Sequence, residues 1–121
     1  MTARTPPPAT PVPVLYRAEG AVVAAAAVAL IVLTGFAWWW LLALFLVFDL
    51  PMLGYLIDNR VGAITYNLAH NYVAPCALLA VHGIALALGG TGWPLLALVA
   101  GCWLFHVGVD RAVGYGPRPL H

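Results

Sequence analysis

The chain has 121 residues, 64% of them apolar and 7% charged, with five arginines, no lysine and a formal net charge of +1. That balance falls outside the range of soluble domains, and the charge leaves no footprint for nucleic acid or for an acidic partner. A soluble helical bundle would need a polar stripe on each helix, and runs such as Ala21 to Thr34 have none. The composition describes a small integral membrane protein of the all-α class.

Residues 1–15 form a Pro-rich tail, expected to be disordered. The Thr/Pro-rich stretch Thr5 to Pro13 lacks the charged start, short apolar core and small-residue cleavage site of a removable signal peptide. Residues 16–116 then carry four apolar runs long enough for the roughly 20 helical residues a bilayer core requires. These are Ala18 to Phe36, Trp38 to Ile57, Val61 to Leu88 and Trp93 to Tyr115. Turn chemistry separates them: Gly35, then Asp58-Asn59-Arg60, then Gly89-Gly90-Thr91-Gly92, while Gly114-Tyr115-Gly116-Pro117 ends the last run before the tail 117–121. Connections this short make neighbouring helices antiparallel, giving a four-helix transmembrane bundle.

The arginines orient it. Arg4 and Arg17 precede the first run, Arg60 lies between the second and third, and Arg111 and Arg118 follow the fourth, so all five fall on one side. Trp38, Trp39, Trp40 and Trp93 suit an aromatic belt on the other. Both termini are therefore expected in the cytoplasm. Gly20 with Ala24 to Ala27 offers small-residue spacing for close packing, either within the bundle or between copies in a homo-oligomer. Cys76 and Cys102 lie in apolar segments and read as small buried side chains.

Ionisable side chains inside a membrane are costly, and here they cluster by depth. Glu19 opens the first run, Asp49 lies near the end of the second, His70 about two turns into the third, and His106 with Asp110 late in the fourth. With alternating helix direction these positions converge on the cytoplasmic half of the bilayer, within ~12 Å of the interface at 1.5 Å per residue. Residues three or four apart share a helix face, which groups Tyr66, Asn67, His70 and Asn71, and separately Cys102, His106 and Asp110. Pro51 and Pro75 are expected to free the carbonyls of Val47 and Asn71, an arrangement tolerated at membrane depth where it lines a cavity.

Two imidazoles and two or three carboxylates from several helices form a ligand set for zinc, iron or manganese. The same groups could pair with one another and with Arg60 or Arg111 as a polar network that only fixes helix register, and both readings stand at this point. His82 lies ~18 Å along its helix from His70, nearer the opposite surface, and reads as an interfacial or packing residue. His121 is terminal, and turn chemistry accounts for Asp58 and Asn59.

The segments Phe48-Asp49-Leu50-Pro51-Met52-Leu53-Gly54-Tyr55-Leu56, Arg60-Val61-Gly62-Ala63 through Tyr66-Asn67-Leu68-Ala69-His70-Asn71-Tyr72, and His106-Val107-Gly108-Val109-Asp110-Arg111-Ala112-Val113-Gly114-Tyr115-Gly116 resemble a bacterial family of small membrane proteins, domain of unknown function 4260. The resemblance runs from about Arg17 to Gly116. It implies a four-helix membrane fold, in the bacterial inner membrane, with polar family positions at Asp49, Arg60, Asn67, His70, His106, Asp110 and Arg111. It supplies no activity.

The resulting expectation is a membrane-embedded, metal-dependent enzyme of hydrolytic type, acting on a lipid or amphiphile from the cytoplasmic leaflet. Asp49, His70, His106 and Asp110 would hold the divalent metal. Glu19 would serve as a further ligand or general base, Arg60 or Arg111 would steady an anionic head group, and Asn67 completes the polar face. The alternatives are ion or proton transport, which lacks a visible path because only His82 and Thr34 offer polarity in the opposite half, and a noncatalytic structural or binding subunit.

Overall fold

The computed structural model describes residues 11–91 and 93–120, and no strand occurs among them. Most of the tail stretch starting at Thr5, together with Arg4, Gly92 and His121, lies outside the described residues. The elements in chain order are α1 (Val14–Leu33), α2 (Trp40–Ala43), a 3-10 helix (Phe45–Leu56), α3 (Asn59–Ala69), α4 (Val73–Ala87) and α5 (Pro94–Val113). α1, α5 and the 29-residue stretch Asn59–Ala87 formed by α3 and α4 are each long and apolar enough to cross a membrane. The first helix starts at Val14, four residues before the expected boundary at Ala18.

The second apolar run departs from expectation. Instead of one α-helix over Trp38 to Ile57, it forms one turn of α-helix followed by 12 residues of 3-10 helix, shorter in sequence than the three long segments. Pro51 sits inside it, and a proline ring clashes with the carbonyl four residues back in an α register. In the 3-10 register the carbonyl deprived of a donor belongs to Phe48, not Val47. The hydroxyl of Thr65 on α3 donates to the Pro51 carbonyl at 2.6 Å, tying the 3-10 helix to its neighbour.

α5 is the spine: α1, α4, α2 and the 3-10 helix all pack on it, and half of its apolar window is buried, against 22% for α1. Its contact with α1 depends on missing side chains. A Cβ on Gly108 would lie 2.7 Å from the Gly20 carbonyl oxygen and 2.8 Å from the Ala24 nitrogen. The small residues at Gly20 and Ala24 are thus used within the bundle. Beyond this crossing, Ile31, Leu41, Leu98 and Cys102 form a buried cluster, with Phe48 and Phe105 packed against it. Cys102 is buried as expected whereas Cys76 is exposed, and both are free thiols.

The turns follow the sequence. Gly35 and Gly89 take positive φ values of 86° and 85° after α1 and α4. Asp58 caps α3, its carboxylate accepting from Val61 N–H at 2.7 Å. Where α1 begins and α5 ends, Arg17 Nε donates to the Ala112 carbonyl at 3.0 Å and joins the two helices.

Gly108→Ala is expected to destabilise the fold by about 1 to 3 kcal/mol, because the methyl group meets backbone that cannot yield. Gly83→Ala on α4, where a Cβ meets open space, should be neutral or slightly stabilising. Unfolding of both variants in detergent micelles checks the pair.

Candidate metal centre

The centre begins at a break in the third apolar segment. Residues His70 to Tyr72 leave the helix between α3 and α4, and Pro75 falls at the third position of α4, where its missing N–H would have had no intrahelical acceptor. The sequence placed the freed carbonyl at Asn71; the structure puts the break upstream and satisfies each carbonyl before it. Asn71 Nδ2 donates to the carbonyls of Asn67 at 2.7 Å and Leu68 at 3.0 Å. Trp103 Nε1 donates to that of Ala69 at 2.6 Å, and Arg111 Nη2 to that of His70 at 2.9 Å. Asn71 Oδ1 meanwhile accepts from Val73 N–H at 2.8 Å, starting the next helix.

The break aims His70. Its Nδ1 lies 3.0 Å from the Tyr66 carbonyl, which can only accept, so Nδ1 carries a proton and Nε2 faces inward. The Tyr66 ring stacks on the imidazole with centroids 3.9 Å apart and planes 6° apart. His106 comes from α5 and is fully buried, its ring 4.3 Å from Phe45 and 5.9 Å from Phe48, measured between centroids. Those two phenylalanines are three residues apart and share a face in the 3-10 register. Asp110 follows His106 by one turn on the same face of α5, and Asp49 reaches in from the 3-10 helix.

Four ligand atoms meet. The two Nε2 atoms are 3.0 Å apart; Asp49 Oδ1 lies 3.1 Å from that of His70 and 3.2 Å from that of His106; Asp110 Oδ2 lies 3.4 Å from each. All four lie within 4.8 Å of one another. Metal–ligand bonds of 2.0 to 2.2 Å imply tetrahedral edges of about 3.3 to 3.6 Å, and the five separations that involve a histidine, 3.0 to 3.4 Å, come close to that edge, so this cluster could hold a metal ion. His70 has the outer hydrogen bond that ligating histidines use to fix their tautomer. His106 Nδ1 is buried without a hydrogen-bond partner, with the Phe45 backbone as a neighbour.

The histidines are closed off, with side chains 3% and 0% exposed, whereas those of Asp49 and Asp110 are 33% and 18% exposed. Both carboxylates open onto a cavity of about 250 Å³ that Met52, Tyr66, Tyr115 and Arg118 complete.

A family model described as a domain of unknown function (DUF4260) matches residues 13–119. The chain belongs to this family. No curated protein and no solved structure matches it. The DUF4260 match takes in all four residues of the cluster and Arg118.

The remaining sequence candidates of this DUF4260 chain lie elsewhere. α1 contributes nothing to the cluster: Glu19 is exposed and lines a different cavity with Tyr16, Tyr72 and Arg111, because depth along a helix does not fix which way a side chain faces. Arg60 is exposed on the first turn of α3. Arg111 supports the His70 carbonyl. Asn67 clamps the chain end, donating to the Arg118 carbonyl at 2.9 Å and accepting from its N–H at 2.7 Å. Cys102, one turn before His106, points to the Trp40 carbonyl at 3.6 Å and stays outside the cluster, as does His82, which is buried on α4. Sequence reasoning used Arg118 only to orient the chain. The signal available was Asn67, an amide at membrane depth whose donor and acceptor both need partners.

Trp103→Phe removes the donor to the Ala69 carbonyl while keeping an aromatic ring, and is expected to cost about 1 to 2 kcal/mol. Denaturant unfolding in micelles, compared with Trp38→Phe on the exposed turn before α2, checks it.

Proposed function

We propose that this protein is a membrane-embedded metalloenzyme in which Asp49, His70, His106 and Asp110 hold one divalent transition metal, and that it hydrolyses an amphiphile reached from the cytoplasmic leaflet. The observation that carries the reading is the convergence of four ligand atoms, all within 4.8 Å of one another, delivered by three separate elements. Two imidazoles with two carboxylates suit zinc, iron or manganese. A divalent ion also neutralises two anions that the membrane interior would otherwise penalise.

The topology supporting this reading has four crossings. Four α residues at 1.5 Å and twelve 3-10 residues at about 2.0 Å give the second segment a length of roughly 30 Å, the thickness of a hydrocarbon core. The five arginines then share one face of the bacterial inner membrane, with both termini in the cytoplasm. A metal bound at the centre would supply Lewis acidity and lower the pKa of a water toward neutrality. The protein's own contribution is directional: the imidazoles are sealed by Tyr66, Phe45 and Phe48, so a substrate group approaches on the side of the two carboxylates.

One observation favours a second reading, a polar network that only fixes packing: the four groups already meet one another at hydrogen-bond distance, with His70 Nε2 3.1 Å from Asp49 Oδ1 and 3.0 Å from His106 Nε2. Hydrolysis tests the catalytic reading. Protein loaded with zinc, iron(II) or manganese(II) in mixed micelles is expected to turn over a fluorogenic phospholipid or a fatty acyl ester, and Asp49→Asn should reduce that turnover roughly 100-fold or more. Stoichiometric metal with no turnover of either probe would contradict hydrolysis and leave a noncatalytic metal site.

A further inference from the structure

Arg118 occupies the cavity beside the candidate centre, and its placement is specified. Both backbone polar groups of the residue are clamped by the Asn67 amide, prolines flank it at 117 and 119, and its guanidinium carbon lies 4.7 Å from the centroid of the Tyr66 ring. That same ring stacks on His70, so cation and cluster share one support.

A cation and two carboxylates line this one cavity without pairing. Among the described residues, the ion pairs of Asp49 and Asp110 run to His70 and His106, and none reaches Arg118 within 4.0 Å. Arg118 Nε is buried and has no acceptor among the described residues. Space separates the charges instead, about 250 Å³ of it, room for roughly eight water-sized groups at about 30 Å³ each.

Charge and shape define the occupant. A divalent metal with two carboxylates is neutral, and Arg118 then leaves one positive charge uncompensated. A guanidinium presents a fork of donors that matches two phosphate oxygens. A phosphodiester carries one negative charge, offers two non-bridging oxygens, and with its adjoining carbons takes up more of the volume than a carboxylate does. Met52 and Tyr115 furnish apolar wall for the ester carbons. We propose that the cavity between the metal centre and Arg118 binds a phosphodiester monoanion, from a phospholipid head group or a free diester, with Arg118 as the residue that selects it. This rests on the metal reading above.

The test uses the full chain in nonionic detergent, loaded with cobalt(II), whose visible bands report its surroundings. Diethyl phosphate, dihexanoyl phosphatidylglycerol and acetate are titrated separately. At least one diester is expected to shift the bands saturably, and acetate much more weakly. A response to the lipid alone identifies the head group as the source, and a response to both diesters identifies a site open to free diester as well. Arg118→Gln should retain cobalt and bind the diester roughly tenfold to hundredfold more weakly, with Arg118→Lys between them. The Asn67 clamp grips only the backbone of residue 118, so these substitutions leave the chain end anchored. Bound cobalt with no response to either diester, an equal response to acetate, or an unchanged response in Arg118→Gln overturns the proposal while the metal centre stands. Absence of cobalt bands at the outset overturns the metal reading and this inference with it, and is distinguished by appearing before any anion is added.

Discussion

A backbone carbonyl at membrane depth must find a donor within the protein, and the break between α3 and α4 is built around that requirement. Ending a helix there leaves its last carbonyls without intrahelical donors inside an apolar segment. Asn71, Trp103 and Arg111 supply the donors, and two of these three side chains come from α5. The break therefore docks the third apolar segment on the spine helix at the level where α5 carries His106. The hydrogen bonds that satisfy the backbone also fix His70, so the geometry of the centre follows from the solution to a folding problem.

The rest of the fold supports that alignment. The glycine crossing of α1 with α5 lets the two backbones approach closely, and α5 keeps its other sides for α4 and the 3-10 helix. The 3-10 register brings Phe45 and Phe48 to one face against His106 and leaves Asp49 and Met52, again three residues apart, on the wall of the cavity. A 3-10 run this long is uncommon, and here it is held by a proline, by the Thr65 hydroxyl on the Pro51 carbonyl, and by Tyr55 seated over Gly62.

The meeting of Asp49, His70, His106 and Asp110 was legible in the sequence because ionisable residues are so few in the apolar segments that their depths alone brought them to one layer. Depth carries no information about direction. Glu19 matches the layer in depth and faces elsewhere, and Cys102 shares a helix face with His106 in projection while turning to a different helix. The 3-10 register was hidden because a uniformly apolar run has no polar stripe from which to read its pitch. Pro75 pointed to a freed carbonyl within one continuous third span and not to a break; the break sits upstream of it because a proline is at ease in the first turn of a helix and Asn71 provides the cap. Arg118 was hidden by its place in a tail, where sequence gives no reason to expect a return to the core; its clamp on Asn67 is a contact between distant parts of the chain.

The central claim is that the four side chains bind metal. Inductively coupled plasma mass spectrometry of detergent-purified protein, with His106→Ala beside the wild type, tests it directly. Close to one equivalent of a single transition metal is expected in the wild type and none in the variant. No metal in either sample, even after reloading, would contradict it and leave the cluster as a hydrogen-bonded network that fixes helix packing.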